Sequence, residues 1–326
     1  LLCFVADFNA SEMHGGREPW QRQAARERLR ETFRAFPPSV RNAWQDVDPE
    51  TKDQPHRQRA RHQPAIGLVR AMMRLSTDPK EAAMATHGFP KSNAYDQTVV
   101  REKIMGPNPL KLLEELLQDH AIPCDGTVMD LGSGQGITSV MLAKDYGFRV
   151  FACDLWSDPT DNLRFFERMG LSTDRVVPLK TDAANGLPFA REFFDAVVSI
   201  DSYHYFACDP AFLDEKLLPF VKPGGFVYIA VPGMKDDGLH EDLPAELLLS
   251  WTPEELSALH DAAYWQALVN QAQDADVVSV HEMDVNEEAW NDWLVCDNEY
   301  SVNDRASLDA GAGAYLNFVA IVLRKR

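Results

Sequence analysis

The stretch Thr127-Val-Met-Asp-Leu-Gly-Ser-Gly-Gln-Gly136 decides the fold of this chain. Residues 127–131 predict a buried strand, and residues 137–146 predict a helix. Between them, three alternate glycines allow a sharp turn and a close approach to a ligand, because no Cβ stands in the way. The first N–H groups of the following helix are free to face a polar or negative group. The pattern therefore predicts a ligand-binding loop between a strand and a helix.

A second apolar strand, Arg149-Val-Phe-Ala-Cys-Asp154, follows and ends in a carboxylate. Nucleoside-binding α/β folds place an acid at this point to hold ribose hydroxyls. The dinucleotide fingerprint is G-x-G-x-x-G, whereas the spacing here is G-x-G-x-G, so no pyrophosphate clamp is evident. The carboxylate at the end of the second strand favours a nucleoside site over an ordinary strand–turn–helix with incidental glycines.

The order of predicted elements indicates a parallel sheet between layers of helices. The predicted strands span residues 127–131, 149–154, 175–180, 194–200, 225–231, 276–282 and 315–324. The predicted helices span residues 109–118, 137–146, 161–169, 211–221, 253–270 and 287–294.

With Asp130-Leu-Gly-Ser-Gly-Gln-Gly136 and Ala152-Cys-Asp-Leu-Trp156 at these positions, the chain resembles the class I S-adenosylmethionine-dependent methyltransferases over about residues 95 to 326. The resemblance implies an α/β fold with a seven-stranded, doubly wound, Rossmann-like sheet. Its antiparallel last strand would insert between the fifth and sixth. It also implies S-adenosyl-L-methionine as the cofactor.

Carried over residue by residue, the resemblance implies a cofactor site along the ends of the first four strands. Asp130 would order the loop or reach the cofactor's amino end, and Asp154 would accept both ribose hydroxyls. Tyr95 or Met105 would close over the methionine portion. The remaining predicted cofactor contacts are Gly132, Ser133, Gly134, Gly136, Leu155, Trp156, Asp182, Ala183 and Asp201. Structural roles remain open for three of these residues: Asp154 as a helix cap, Asp182 as a solvated loop acid and Trp156 as core packing.

The catalytic candidates follow the fourth strand, in Phe194-Asp-Ala-Val-Val-Ser-Ile-Asp-Ser-Tyr-His-Tyr205. The carboxyl ends of strands in open α/β sheets form the ligand crevice. His204 is the candidate general base, because imidazole titrates near neutral pH. Tyr203 or Tyr205 would hold the acceptor or contact the methyl group. A structural histidine and a reaction without a base both remain open.

Composition limits the classes of partner. The net charge is −18, with +3 on residues 1–90 and −21 on residues 91–326. Such an acidic body repels phosphate backbones, so nucleic acid is disfavoured as the main substrate. No apolar run is long enough for a membrane helix, and the opening residues do not match a secretory signal. The five cysteines form no C-x-x-C pair, which predicts a reducing, cytoplasmic location and no metal site.

The chain divides into two predicted parts. Residues 1–90 form a helical N-terminal extension, with an arginine-rich amphipathic helix over residues 17–36 and a second helix over 66–75. Its role is open between an accessory subdomain, a substrate cover and a dimerisation arm, which would give a homodimer. Residues 91–326 form the cofactor-binding domain, with lid insertions near 232–270 and 295–313.

These features predict an enzyme that transfers a methyl group from S-adenosyl-L-methionine to an O, N or C atom of a small-molecule acceptor. The Asn/Asp-Pro-Pro-aromatic tetrad of DNA amine methylases is absent after Ile200. The alternative is a non-catalytic binding or regulatory protein that keeps the fold and acts through its arginine-rich N-terminal region.

Overall fold

A computed structural model describes residues 88–206 and 211–326. The two predicted N-terminal helices, and almost all of the predicted extension over residues 1–90, lie outside these ranges. The alternative function depends on that same arginine-rich segment. Within the described ranges, every helix is too short or too polar to span a bilayer.

A seven-stranded sheet forms the centre of the described part. Its strands are β1 (Thr127–Leu131), β2 (Arg149–Asp154), β3 (Val176–Lys180), β4 (Phe194–Ile200), β5 (Val221–Met234), β6 (Ala275–Glu282) and β7 (Leu316–Lys325). The spatial order is β3-β2-β1-β4-β5-β7-β6. β7 runs antiparallel to both of its neighbours, β5 and β6. The predicted fold, including the inserted antiparallel strand, is confirmed.

Nine α-helices are described. They are α1 (Pro90–Asn93), α2 (Gln97–Lys103), α3 (Pro109–Leu116), α4 (Ile137–Lys144), α5 (Pro159–Arg168), α6 (Pro253–Leu256), α7 (Ala262–Val269), α8 (Asn286–Leu294) and α9 (Glu299–Asp309). Short polar residues begin several of them: Asn108 caps α3, Asp158 caps α5 and Asp261 caps α7, each accepting a backbone N–H from the first turn.

Three helix predictions differ from the structure. The helix predicted over 253–270 is two helices, because Asp261 caps a second start at Ala262. The helix predicted over 211–221 is a π-helix at Phe212–Leu217 and a 3₁₀ turn at Leu218–Phe220. Pro219 has no N–H with which to continue an α-helical ladder there. The third difference is α9, which occupies a segment predicted only as a lid.

Apolar side chains cover both faces of the sheet. Strand residues alternate between the faces, so that Val128 joins one hydrophobic cluster while Met129 and Leu131 join the other. The first cluster includes side chains of α3, α4, α5 and α8, and the second includes Trp265 of α7. Because apolar side chains cover both faces of the sheet, a ligand reaches the sheet at the ends of its strands.

A third, smaller hydrophobic cluster joins the two predicted lid segments. Leu247 and Leu256 of the first segment pack with Ala312 of the second. Reciprocal hydrogen bonds also link them, since Ser250 Oγ donates to the Asn303 carbonyl at 2.7 Å and Asn303 Nδ2 donates to the Ser250 carbonyl at 2.8 Å. The two segments therefore form one folded unit near the ends of β5 and β7.

Candidate active site

The glycine loop joins β1 to α4 at the carboxyl end of the sheet. Gly132, Gly134 and Gly136 have φ of +74°, +51° and +84°. Side chains fill the space around two of them, because an added Cβ would overlap Ser202 at position 132 and lie 2.5 Å from Phe166 Cε1 at position 136. Here glycine is required both by the backbone conformation and by the lack of room.

One polar atom in the loop has no partner. The Ser133 hydroxyl is buried and makes no hydrogen bond within the described part of the protein. A buried hydroxyl is usually satisfied, so an orphan inside a glycine loop indicates a position for a ligand atom.

Asp130 holds the loop in place through hydrogen bonds to the first turn of α4. Its side chain is buried, and Oδ2 accepts hydrogen bonds from Thr138 Oγ1 at 2.7 Å and Ser139 Oγ at 2.5 Å. These contacts fix the first turn of α4 to the end of β1. Burial raises the pKa of Asp130 to about 6, although the two hydroxyl donors oppose the shift. The arrangement supports the loop-ordering role among the two predicted for this residue.

Asp154 already holds three backbone N–H groups. Oδ2 accepts from Gly134 at 2.9 Å, and Oδ1 accepts from Trp156 at 2.8 Å and Ser157 at 2.7 Å. An ionised carboxylate offers about four acceptor sites, so about one is left for a ribose hydroxyl. The bidentate ribose contact therefore stays a prediction, and Asp154 has a structural role in shaping the crevice as well.

The part of the crevice in which adenine is predicted to bind is exposed to solvent at Leu155 and Trp156. Leu155 and Trp156 are exposed, and the Trp156 ring meets Tyr205 edge to face with centroids 5.9 Å apart. Asp182 accepts from Ala184 N at 3.0 Å and from Asn185 Nδ2 at 2.6 Å, so it closes its own turn. Ala183 is buried in the second hydrophobic cluster. Their adenine contacts remain predictions.

The end of β4 places an unusual acid beside the loop. Asp201 has φ +54°, a conformation that Asp and Asn adopt more readily than most residues. Its carboxylate is half-buried and has no hydrogen-bond donor among the described residues. Burial, and then repulsion from Asp304, raises the pKa of Asp201 to about 7.

The three predicted catalytic residues separate into two environments. Tyr203 lies in the core, where its ring meets Phe212 and Trp265, so its side chain is placed away from the open crevice. His204 is 7% exposed, and its Nδ1 has no partner in the described part. Burial lowers the pKa of His204 to about 4, so the imidazole is neutral at physiological pH. Tyr205 is 56% exposed, and its ring contacts that of Trp156.

Tyr95 is not at the cofactor loop. Its hydroxyl donates to Asp145, which caps the far end of α4. An eight-residue helix is about 12 Å long, and this length separates Tyr95 from the glycines. Met105 lies beside the loop, since its Sδ would lie 3.1 Å from a Cβ on Gly134, and its contact with the cofactor stays a prediction.

The sequence did not indicate the acidic and aromatic residues of the lid segments that influence the pKa values of Asp201 and Tyr205. Burial, and to a smaller extent the charge of Glu255 of α6, raises the pKa of Asp304 of α9, whose own charge adds to the raised pKa of Asp201 after the larger effect of burial. Burial raises the pKa of Tyr205 as well, with a smaller contribution from Tyr300 of α9. The only signal in the sequence was the acidic and aromatic run Asp297-Asn-Glu-Tyr300, whose residues follow no spacing that is typical of a binding motif.

A cluster of possible metal ligands lies beyond β5. Single ligand atoms of Asp237, His240 and His260 lie within 4.8 Å of one another, and all three residues are half-buried. The cluster is satisfied without an ion, because His260 Nδ1 lies 3.1 Å from Asp237 Oδ2 and His240 Nε2 lies 3.0 Å from the Leu259 carbonyl.

Comparison with known sequences finds similarity to methyltransferases. Residues 129–229 match the family described as "Methyltransferase domain". Over 116 residues the chain is 34% identical to 2-methyl-6-phytyl-1,4-hydroquinone methyltransferase of Synechocystis sp.. That match covers 36% of this chain and 35% of the relative, so it spans about a third of the relative's length.

Solved structures of the same fold include two methyltransferases. Geranyl diphosphate C-methyltransferase of Streptomyces coelicolor A3(2), solved with Mg²⁺, geranyl diphosphate and S-adenosyl-L-homocysteine, superposes with a TM-score of 0.53 at 15% identity, covering 66% of this chain and 78% of that one. Phosphoethanolamine N-methyltransferase 2 of Haemonchus contortus, in complex with S-adenosyl-L-methionine, superposes with a TM-score of 0.53 at 19% identity, covering 71% and 57%. Identities this low establish the fold alone.

Proposed function

We propose that this protein, whose described part has the class I methyltransferase fold, transfers a methyl group from S-adenosyl-L-methionine to a small-molecule acceptor. One observation carries the proposal. The glycine loop, Asp154 and the Asp201–Tyr205 segment converge at the carboxyl edge of one sheet, within the residues that match the methyltransferase family.

The residues at this edge fit the cofactor. The Ser133 hydroxyl lacks a partner within the described part of the protein, and Asp154 keeps an acceptor site. The exposed face of Trp156 offers a surface on which adenine stacks. When bound, S-adenosyl-L-methionine supplies a methyl group on a sulfonium, which is reactive enough for direct displacement by a lone pair.

The protein's own contribution is binding and alignment of the acceptor. Met105 lies against the loop and Tyr205 lies against Trp156, so both side chains border the cofactor site. The imidazole of His204 is neutral and its buried Nδ1 has no partner in the described part of the protein, so His204 is the candidate to take a proton from an acceptor that loses one. The joined lid segments cover the acceptor side and exclude water.

Calorimetric titration tests the cofactor half of the proposal. We expect micromolar binding of S-adenosyl-L-methionine and S-adenosyl-L-homocysteine, and no binding of NAD, which serves as the control. Binding of NAD, or of neither class, would overturn the proposal. If both sulfur compounds bind, release of S-adenosyl-L-homocysteine in the presence of an acceptor panel tests the transfer itself.

A further inference from the structure

Two histidines and a carboxylate from two separate segments lie together beyond β5. This cluster consists of Asp237, His240 and His260, which offer ligand atoms within 4.8 Å of one another, and all three residues are half-buried. Asp237 and His240 belong to a 3₁₀ turn over Asp237–Glu241, in which residues three apart lie on the same side. His260 directly precedes Asp261, the cap of α7. The fold therefore brings together three metal-ligating side chains that the sequence separates.

The separations within the cluster match those around a single metal ion. Ligand atoms bound at about 2.0–2.1 Å to a tetrahedral ion lie about 3.3 Å from one another, and His260 Nδ1 lies 3.1 Å from Asp237 Oδ2. Two imidazole rings on one such ion have centroids about 5 Å apart, and the centroids of the His240 and His260 rings are 5.2 Å apart. Small side-chain rotations are enough to close the cluster around an ion.

The hydrogen bond of His240 leaves one of its ring nitrogens free for an ion. A carbonyl oxygen only accepts hydrogen bonds, so Nε2 donates to the Leu259 carbonyl at 3.0 Å, and Nδ1 keeps its lone pair. That Nδ1 has no hydrogen-bond partner among the described residues. Histidines that bind metals usually donate their other N–H to a carbonyl or carboxylate, which fixes the tautomer and the orientation of the ring. His240 is thus oriented to bind through Nδ1.

Further contacts hold the other two ligands in place. Asp237 Oδ1 accepts from Asp261 N at 2.9 Å, and Asp261 Oδ2 accepts from Asp237 N at 3.3 Å. The His260 ring stacks on Tyr264, with centroids 3.5 Å apart and planes 11° from parallel. The backbone of His260 packs against β5, since an added Cβ on Gly233 would overlap its carbonyl oxygen. The ligands are therefore positioned by hydrogen bonds and packing before an ion binds.

The charge around the cluster favours a cation. Within residues 88–206 and 211–326, the ion-pair partner of Asp237 is His260, and neither Asp236 nor Asp261 pairs with a Lys or Arg. Three carboxylates thus lie close together in sequence or through hydrogen bonds, with no basic side chain of the described part to neutralise them. A divalent cation would offset this charge.

We propose that Asp237, His240 and His260 bind a divalent transition-metal ion, with zinc as the ion that fits these ligands best. Imidazole is a good ligand for zinc, whereas Mg²⁺ and Ca²⁺ prefer oxygen ligands. His260 binds through Nδ1 in the tautomer that carries its proton on Nε2. Three protein ligands leave the fourth position of a tetrahedral ion open to water or to an oxygen atom of a bound molecule.

The ion joins the turn that follows β5 to the start of α7, within the first lid segment. The site uses no cysteine, so the cysteine pattern that predicted no metal site gave no information on it. The inference is independent of the proposed methyl transfer, because none of its three ligands belongs to the cofactor loop or to the Asp201–Tyr205 segment.

Titration of the metal-free full chain with ZnCl₂ tests the site. The protein is stripped with a chelator, and binding is followed by calorimetry with MgCl₂ as the control ion. We expect micromolar or tighter binding of zinc, a rise in the midpoint of thermal unfolding on addition of zinc, and no comparable binding of Mg²⁺. Absence of zinc binding at millimolar concentration would overturn the proposal.

Variants assign the ion to these residues. Asp237→Asn and His260→Gln are each expected to weaken zinc binding by at least about tenfold. Two matched controls should leave zinc affinity unchanged: Asp236→Asn, at the exposed neighbouring acid, and His281→Gln, at an exposed histidine of β6.

A third variant avoids the structural contacts of the first two. Asp237 and His260 also hold the turn against α7, whereas the described hydrogen bond of the His240 side chain is the one to Leu259. His240→Gln should therefore keep the unfolding midpoint of the metal-free wild type and still lose at least about tenfold in zinc affinity. Unchanged zinc affinity in all three ligand variants would place the ion elsewhere and refute the proposal.

Co²⁺ provides a spectroscopic check, because Cys124 is exposed and thiolates also bind zinc. Co²⁺ held by two imidazoles and a carboxylate gives visible ligand-field absorption without a thiolate-to-metal charge-transfer band. We expect this absorption in the wild type and its loss in His240→Gln. A spectrum with the thiolate band that persists in His240→Gln would count against the site.

Discussion

Replacing Asp201 with Asn is expected to stabilise the folded protein, and to do so increasingly as the pH rises. Asn keeps the shape of the side chain and tolerates φ +54° as well as Asp does. It removes the ionisation of an acid whose pKa is raised from 3.8 to about 7 by burial and by Asp304. The variant therefore isolates the cost of keeping a carboxylate at this position.

The sign follows from proton binding. The folded protein retains the Asp201 proton over a pH range in which the unfolded chain has lost it. The stability associated with the protonated acid is fully present below pH 3.8 and is lost as the pH rises to about 7. A tenfold change in proton affinity corresponds to about 1.4 kcal/mol, so complete loss amounts to about 4 kcal/mol. Water that reaches the half-buried carboxylate lowers the expected value to about 2–4 kcal/mol.

Urea unfolding of the wild type and Asp201→Asn at about pH 4 and about pH 8 measures this difference. Asp130 and Asp304 also have raised pKa values, so the diagnostic quantity is the difference between the two proteins and not the wild-type curve. Asp309→Asn serves as the control for loss of an exposed acid. An Asp201→Asn variant with the same stability increment at both pH values, or one that is less stable than the wild type at pH 8, would refute the reasoning.

Three further predictions concern the loop and the candidate base. Gly136→Ala should destabilise the fold by at least about 3 kcal/mol, because φ +84° and the contact with Phe166 both oppose a Cβ. The control Gly170→Ala, at φ +76° with open space around it, should destabilise the fold by only about 1 kcal/mol. Equal losses of stability in urea unfolding would contradict the packing argument. Asp154→Ala should weaken S-adenosyl-L-methionine binding in calorimetry by more than about tenfold, since the N–H groups of Gly134 in the loop and of Trp156 and Ser157 after β2 lose their shared acceptor. Unchanged affinity would refute this. His204→Ala should slow methyl transfer while cofactor affinity stays within about twofold, and full activity of the variant would remove the base role. The wild-type rate should show no histidine ionisation between about pH 6 and 9, because burial lowers the pKa of His204 to about 4.

The sheet and the loop were predictable because local patterns specify them. The three glycines, the acid that ends β2 and the buried run before Asp201 each carry a signal within ten residues. Strands β1, β2 and β4 begin and end as predicted. The inserted position of β7 came from the family resemblance, since strand order depends on packing between distant segments.

The acceptor side could not be predicted in the same way. Asp304 and Asp201 are about a hundred residues apart in sequence, and no local pattern indicates that the charge of Asp304 in α9 contributes to the raised pKa of an acid that follows β4. Tyr95 was misplaced for a related reason, since proximity in sequence to the loop says little about which end of α4 a residue meets. Tyr203 and Tyr205 differ by only two positions, yet one ring packs in the core and the other is exposed beside Trp156.

The position of β7 has a consequence for synthesis of the protein. β6 pairs only with β7 in the described sheet, and β5 depends on β7 to cover its outer edge. A chain growing on the ribosome therefore carries two unpaired strand edges until residues 316–325 have left the exit tunnel. Such edges are sites of wrong association. A truncation just before Leu316 would leave both strands permanently without this partner, and aggregation of the truncated chain is the expected result.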